Sequence, residues 1–247
     1  MTAVIRSMDS LKGADAAEWQ ARVHLAAAFR LANRAGWNKG IANHFSMIVP
    51  GSTDRYLLNP RELHFSEITA SNLIVVDEKG NRLAGHGQVR AVAFYLHGRL
   101  HKALPGAKCI LHAHAPYSTA ISLVRGGRLG KAHGIAMGLG RLVCYDDEAD
   151  RLIRIVGPDK RIIFHAMHGM TTLGATVAEA YDHFYFAERM SMYTVLARQM
   201  SDDLHAVPDA ALRSYGNRDP GLEPSADIVH FNAMMRVLDR EEPDYKS

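Results

Sequence analysis

This sequence has few cysteines, a small net charge and no long apolar runs. Its two cysteines, Cys109 and Cys144, are too few for a disulfide framework and lie among apolar neighbours, as buried reduced thiols do. The formal net charge is only +3, and no basic tail or stripe suggests nucleic acid. No segment approaches the roughly 18 apolar residues that span a bilayer. We therefore expect a cytoplasmic protein without nucleic-acid or membrane partners.

Apolar residues and histidines are what the sequence has in quantity. Hydrophobic residues make up 47% of the 247 residues, enough for one sizeable core, so we expect a single domain over residues 1–247. Its core should span about 18–200, followed by a tail over 201–247 with a short helix near 228–238. There are 14 histidines, and histidine is both the commonest metal ligand and a general acid or base. The positions of these histidines are the first guide to function.

The spacing of apolar residues predicts a mixture of helices and strands. Residues 17–36 place apolar residues four apart and end on a glycine, which predicts an amphipathic helix. Short β-rich runs between residues 43 and 76, broken by turn residues, predict sheet strands. The later predicted elements are a helix at 91–104, a strand at 109–114, a helix from 117 to 124, a strand from 161 that ends in a glycine turn, and a helix at 177–200.

A His-x-His pair lies at the end of the strand predicted at 109–114. Side chains alternate between the two faces of a strand, so His112 and His114 project the same way and could hold one ion. An open catalytic zinc site needs three protein ligands, and His168, just before Gly169, could supply the third from a distant segment. On spacing alone, a hydrogen-bonded histidine pair without metal explains the motif equally well.

Several short motifs, taken in order, resemble the class II aldolase/adducin family over roughly residues 18–200. They are Gly40 to Ser46 (Gly-Ile-Ala-Asn-His-Phe-Ser), Leu58-Asn59-Pro60, Phe65 to Ser71, Leu96-His97, Leu111 to His114 and Met167-His168-Gly169. The resemblance implies an α/β fold, a three-layer α/β/α sandwich with a largely antiparallel central sheet, assembled as a homotetramer with sites near subunit interfaces. It also implies that His112, His114 and His168 bind a divalent metal, Zn²⁺ or another such as Mn²⁺.

The resemblance fails at the positions of the family's proton-shuttling acid and phosphate ligands. The acid's position is Ala93, the paired serines before it are Ala91 and Val92, and a Thr-Gly phosphate contact is replaced by Arg61-Glu62. The tyrosine that serves some aldolases as general acid would fall near His133-Gly134, so His133 is a candidate substitute. We therefore do not expect cleavage of a sugar phosphate.

Other residues are candidates for substrate contact or proton transfer. Arg61 and Arg90, near the positions of the lost phosphate ligands, could each hold a carboxylate in a bidentate fork, or could be solvated surface arginines. Tyr117 and Tyr185 could supply a proton, or could be packed core tyrosines. Asn43 and Ser46 match the family's substrate-loop asparagine and nearby serine.

Three hypotheses about function remain open from the sequence. The first is a metal-dependent lyase acting on a small carbonyl or hydroxy acid, with decarboxylation as one form, because the three histidines are present. The second is a non-catalytic adducin-like binding module, because Ala93 replaces the acid. The third is an aldolase or epimerase with a substitute acid or base. We expect Glu188 to be structural, His165 to be either structural or a support behind the metal ligands, and His97 to pack or hydrogen-bond near the site.

Overall fold

The structure is a computed structural model that describes residues 15–104, 106–131, 133, 139–140, 142–146, 156–157, 159–211 and 226–247, with the side chains of 91–93 and 226–227 outside the description. The side chain of Ala93, at the position of the family's acid, is therefore not described. The helices are α1 (Ala16–Arg34), α2 (Ala91–Ala103), α3 (Pro116–Leu123), α4 (Val177–Met200) and α5 (Ala226–Glu241), with short 3-10 turns at Phe65–Glu67 and Pro243–Lys246. The strands are β1 (His44–Ile48), β2 (Arg55–Leu58), β3 (Ile74–Asp77), β4 (Arg82–Ala84), β5 (Cys109–Ala113), β6 (Val143–Asp146), β7 (Ile162–His165) and β8 (Gly169–Gly174).

One sheet contains all the strands of the described residues, in the order β4-β3-β2-β1-β5-β8-β7-β6. Neighbouring strands are antiparallel except for β6 and β7, which are parallel. The expected largely antiparallel sheet is confirmed. Strand β5, which carries the His-x-His pair, lies between β1 and β8 at the centre of the sheet, so its side chains have a neighbouring strand on each side.

Alternation along the strands produces the expected three layers. Phe45, Leu111 and Phe164 belong to the large core that includes residues of α1 and α4. The adjacent residues Ile110 and Ile163 face the other way and pack with residues of α2. Because successive side chains of a strand point to opposite faces, helices cover both faces of the sheet. The α/β/α sandwich is confirmed.

Local signals place the helix starts. Asp15 precedes α1 and accepts a hydrogen bond from the Glu18 backbone N–H, while Thr176 does the same for the Glu179 backbone N–H at the start of α4. The predicted helices at 17–36, 91–104, 117–124 and 177–200 match α1 to α4 within a few residues. No helix among the described residues has the length and apolar character needed to cross a membrane.

Three strands and part of the tail differ from the prediction. The sequence patterns missed β4, β6 and β8; β8 is buried on both faces, so it lacks the alternation that identifies a strand. His168 therefore lies on the turn between β7 and β8 rather than at the end of one strand. In the tail, α5 is longer than the short helix predicted at 228–238, and it packs on α4 and α1.

Candidate metal centre

His112 and His114 lie at the end of β5 on the same side of the sheet. His112 is the penultimate residue of the strand and is buried, while His114 directly follows the strand and is half-buried. Their Nε2 atoms are 3.2 Å apart. The spacing expected from strand alternation therefore brings the two ring nitrogens together.

The turn between β7 and β8 places His168 beside this pair. Its Nε2 atom lies 3.3 Å from the Nε2 atom of His114. Gly169 follows with a φ of +144°, and a Cβ there would lie 2.9 Å from the Ala113 carbonyl oxygen and 3.0 Å from the His114 ring. Only glycine permits this backbone conformation and this close approach to the end of β5. The glycine of the His-Gly motif therefore allows the ring of His168 to lie beside that of His114.

The three rings fit a divalent metal ion. Their potential ligand atoms all lie within 4.8 Å of one another. Two imidazoles bound to tetrahedral zinc at about 2.0 to 2.1 Å hold their nitrogens about 3.3 Å apart, close to the 3.2 and 3.3 Å observed. Hydrogen bonds explain both contacts less well, because the single Nε2 of His114 would have to donate to two neighbours or accept from two.

Burial keeps the three rings in the neutral form that binds metals. It lowers the pKa of His112 far below its ordinary value, with a further contribution from the neighbouring histidines. The pKa of His114 is lowered to about 4, mainly by burial and then by His168 and Lys39. Burial also lowers the pKa of His168, as do His165 and Lys39. Near pH 7 each ring is therefore neutral, with a lone pair on one of its two nitrogens that can bind a metal.

A row of buried polar side chains continues from His112 across three further strands. The Nδ1 atom of His112 lies 3.0 Å from Thr171 Oγ1 on β8, and Thr171 Oγ1 lies 2.8 Å from His165 Nε2 on β7. His165 Nδ1 faces Asp146 Oδ2 on β6 at 3.8 Å. We call Asp146, His165, Thr171 and His112 the polar row. All four residues are buried.

A second set of polar residues, from β1 and from α2, lies on the other side of His112. His44 is paired with His112 across the β1–β5 ladder, and its Nδ1 is 2.9 Å from His97 Nε2. The Ser46 hydroxyl lies 2.7 Å from His97 Nδ1 and 2.9 Å from His101 Nε2. His101 Nδ1 donates to the Ala107 carbonyl. We call His44, His97, Ser46 and His101 the buried histidine chain.

An open pocket of about 650 Å³ gives access to the outer two histidines. It is lined by Lys39, His114, Pro116, Thr119, Ala120, Leu123, Met167 and His168. Among the described residues of this lining, Lys39 is the only charged side chain, and its charge contributes to the lowered pKa values of His114 and His168. Lys39 is not among the residues predicted from the sequence, because an exposed lysine in a loop carries no signal of its own; its place four residues before Asn43 is the available hint.

Comparison with known proteins identifies the family. The model of the Class II Aldolase and Adducin N-terminal domain matches residues 23–195. The chain belongs to the class II aldolase/adducin family. A protein of Caulobacter vibrioides provisionally named an aldolase class 2 protein is 32% identical over 96% of both chains. Alpha-adducin of Rattus norvegicus is 30% identical over 95% of this chain but only 35% of its own length.

Solved structures support the same assignment. An aldolase II superfamily protein from Pseudomonas syringae superimposes with a TM-score of 0.88 at 28% identity, covering 97% of this chain and 100% of its own. The L-fuculose 1-phosphate aldolase of Glaciozyma antarctica PI12 gives a TM-score of 0.84 at 22% identity over 93% of both chains. At that identity the second comparison shows the shared fold alone. The expected family and fold are thus confirmed.

The four residues predicted to contact substrate differ from one another in burial and in hydrogen-bond partners. Asn43 is buried and accepts a hydrogen bond from the Lys39 backbone N–H, while its Nδ2 has no partner among the described residues. Ser46 is fully buried and directs its hydroxyl to the buried histidine chain. Arg61 is exposed, and Arg90 precedes α2 and lies close enough to His44 for its charge to help lower the pKa of that ring. The charge of Arg90 therefore acts on a histidine of the buried histidine chain.

The predicted proton-transfer residues do not line the pocket of His114 and His168. Tyr117 and Tyr185 line a second pocket of about 190 Å³, which shares only Pro116 with the first. There Glu188 accepts hydrogen bonds from the backbone N–H groups of Tyr117 and Ser118, as a carboxylate at a helix start does. His133 is exposed and its ring lies 5.0 Å from that of Tyr193. The structural role expected for Glu188 is thus observed.

Proposed function

We propose that this chain is a divalent-metal-dependent lyase of the class II aldolase type that acts on a small carbonyl or hydroxy acid. The observation that carries the proposal is the convergence of the Nε2 atoms of His112, His114 and His168 at 3.2 and 3.3 Å. Zinc is the first choice of ion because all three ligands are imidazoles, and Mn²⁺ is the second. The ion would sit between the three nitrogens, at the inner end of the open pocket.

The residues of the pocket suit an anionic substrate. When bound, zinc supplies Lewis acidity, which stabilises the negative charge that develops on a substrate oxygen as a carbon–carbon bond beside a carbonyl breaks. Lys39 lies on the open side of His114 and His168 and is the single cation of the described lining, which has no acidic side chain. We assign Lys39 to the substrate carboxylate. Leu123 and Met167 provide an apolar wall for the remainder of the molecule.

The sequence departures favour an unphosphorylated acid. Ala91, Val92 and Arg61-Glu62 stand where family members hold the phosphate group, and one exposed lysine is a weak substitute for that set. Decarboxylation also tolerates Ala93 better than aldol cleavage does. A substrate carboxylate is already ionised at neutral pH, whereas aldol cleavage must begin by removing a proton from a hydroxyl group. We therefore place decarboxylation first among the lyase reactions.

Proton delivery, assembly and location complete the proposal. The product carbon must receive a proton, and His133, Tyr117 and Tyr185 remain the predicted donors. Tyr117 and Tyr185 would act from the second pocket, which shares Pro116 with the first.

We propose a cytoplasmic homotetramer on the strength of the family. Asn43, Arg61 and Arg90 remain predicted substrate contacts, but fully buried Ser46 has no part in the proposed binding mode.

A substrate screen with the zinc-loaded chain tests the proposed function. The panel should contain β-keto acids, hydroxyaromatic acids and hydroxy acids, with matching phosphorylated sugars as competitors. We expect turnover of an unphosphorylated acid, its loss in His112→Ala, and its retention in His183→Ala. The control changes a histidine of α4 that is hydrogen-bonded to the Leu173 carbonyl of β8. Cleavage of a sugar phosphate but no acid would instead indicate an aldolase or epimerase with a substitute acid or base.

A non-catalytic adducin-like binding module is the second candidate. The 30% identity to alpha-adducin and the alanine at position 93 favour it. Such a module has no need of a metal ion between three histidines at an open pocket. Failure of every substrate in the panel, together with failure of the wild-type chain to bind zinc, would favour this second candidate over the lyase.

A further inference from the structure

We propose that Thr171 is a positioning residue that, with His165 behind it, holds His112 in the tautomer whose Nε2 binds the metal. The inference rests on the proposed metal site, and it assigns a task to residues of the polar row that have no direct place at the ion. Thr171 is fully buried, so its hydroxyl has no solvent to bond to and depends on the two rings beside it.

The strand registers bring the polar row together. Thr171 is directly opposite His112 in the β5–β8 ladder, and Asp146 is paired with His165 in the β6–β7 ladder. Since β7 and β8 are also neighbours, the row crosses four adjacent strands on the face covered by α2. The sheet itself therefore fixes the distances of 3.0 Å from Thr171 Oγ1 to His112 Nδ1 and 2.8 Å to His165 Nε2.

The direction of the hydrogen bonds follows from the carboxylate at the end of the row. Asp146 Oδ2 faces His165 Nδ1 and favours a proton on that nitrogen. With its proton on Nδ1, the His165 ring has its lone pair on Nε2, which accepts the Thr171 hydroxyl proton. The Thr171 oxygen in turn accepts the N–H of His112 Nδ1. His112 is left with its lone pair on Nε2, the atom that faces His114.

Without the Thr171 hydroxyl, the ring of His112 loses its preference for the tautomer with the proton on Nδ1. A neutral imidazole with its proton on Nε2 cannot use that nitrogen as a ligand, so part of the population would have to change tautomer before binding. Hydrogen-bond partners behind a metal-binding histidine typically contribute about 10- to 100-fold in metal affinity. This sets the size of the effect expected at Thr171.

Thr172 supplies a matched control. It is adjacent on β8, is equally buried, and faces the other side of the sheet, where its hydroxyl donates to the Ala180 carbonyl at 2.8 Å. Thr171→Val and Thr172→Val each remove one buried hydroxyl and keep the shape of the side chain. Both variants are expected to be less stable, but only the first should change the metal site. Thr171→Ser keeps the hydroxyl and should restore the affinity.

Competition with a chromophoric chelator measures the zinc dissociation constant of these variants. We expect Thr171→Val to weaken zinc binding about 10- to 100-fold, with Thr171→Ser and Thr172→Val within about threefold of wild type. Equal affinity in Thr171→Val and wild type would overturn the positioning role and leave the metal site intact. A wild-type chain that binds no zinc would overturn the proposed metal site and this inference with it.

The tautomer can also be observed directly in metal-free protein. Two-bond ¹H–¹⁵N correlation spectra of histidine-labelled protein distinguish a proton on Nδ1 from one on Nε2. We expect the His112 ring of wild type and Thr172→Val to carry its proton on Nδ1, and that of Thr171→Val to show a mixture. A merely structural threonine would not change this spectrum, so an unchanged tautomer in a folded Thr171→Val protein would contradict the proposal.

Discussion

The Nε2 atoms of His114 and His168 lie 3.3 Å apart, although 54 positions separate the two residues along the chain. The sheet produces this contact, because β8 pairs with β5 and its preceding turn projects over the end of β5. The glycine after His168 allows the close approach. A site that depends on strand pairing in this way is preformed, and a ligand does not have to order it.

Lys39 should determine affinity for carboxylates. Lys39→Met in the zinc-loaded chain is expected to weaken pyruvate binding by about fivefold, since exposed ion pairs contribute up to about 1 kcal/mol. Binding of pyruvamide, which has the same shape without the charge, should not change. Lys79→Met is the control, because Lys79 is exposed in the turn between β3 and β4. Calorimetric titration measures both ligands, and an equal loss for the two would show that Lys39 does not recognise charge.

Ser46 should matter for stability. Ser46→Ala removes the hydroxyl shared by His97 and His101, leaving two buried ring nitrogens without their partner. We expect the free energy of unfolding to fall by about 2 to 4 kcal/mol. Ser191→Ala, which removes an equally buried hydroxyl that donates to the Ala187 carbonyl within α4, should cost less than about 1 kcal/mol. Urea denaturation compares them, and equal losses would argue against a special role for Ser46.

Acid should destabilise the chain partly through His101. Burial lowers the pKa of His101 to about 4, from 6.5 in the unfolded chain. As the pH falls below 6.5, the unfolded state takes up a proton that the folded state does not, so stability falls until about pH 4. Between pH 7.5 and 5 this amounts to about 2 kcal/mol for one such group.

The variant His101→Gln isolates this contribution. Whatever the substitution costs at pH 7.5, the further loss of unfolding free energy between pH 7.5 and pH 5 should be smaller than in wild type by about 2 kcal/mol. His205→Gln, which changes an exposed histidine after α4, is the control and should show the wild-type loss. An identical loss in wild type and His101→Gln would show that this ring is not held neutral by burial.

The sequence was most informative where a signal is local. Four-residue apolar spacing and a terminal glycine identified α1, and alternation alone placed His112 and His114 on one face of a strand. The missed strands lacked such signals: β4 is short and largely exposed, and β8 is buried on both faces. The prediction that β7 ends directly in a turn to a helix followed from missing β8.

The surroundings of the site depended on strand register, which the sequence patterns did not reveal. Thr171 gave no sign of being opposite His112, because that pairing arises from a strand that was not predicted. Ser46 matched a family substrate residue but has both its contacts inside the buried histidine chain. The place of Lys39 beside the site could not be predicted from the sequence, because it depends on the turn before β8, which brings His168 to the same pocket.

Zinc stoichiometry tests the central claim most directly. Metal-depleted chain is titrated with zinc, and the bound metal is measured by inductively coupled plasma mass spectrometry in wild type, His112→Ala, His114→Ala, His168→Ala and the control His183→Ala. We expect one zinc per chain in wild type and control, with affinity reduced more than about 100-fold in each of the other three. A wild-type chain that retains no zinc, or a His168→Ala variant that binds it as tightly as wild type, would contradict the account.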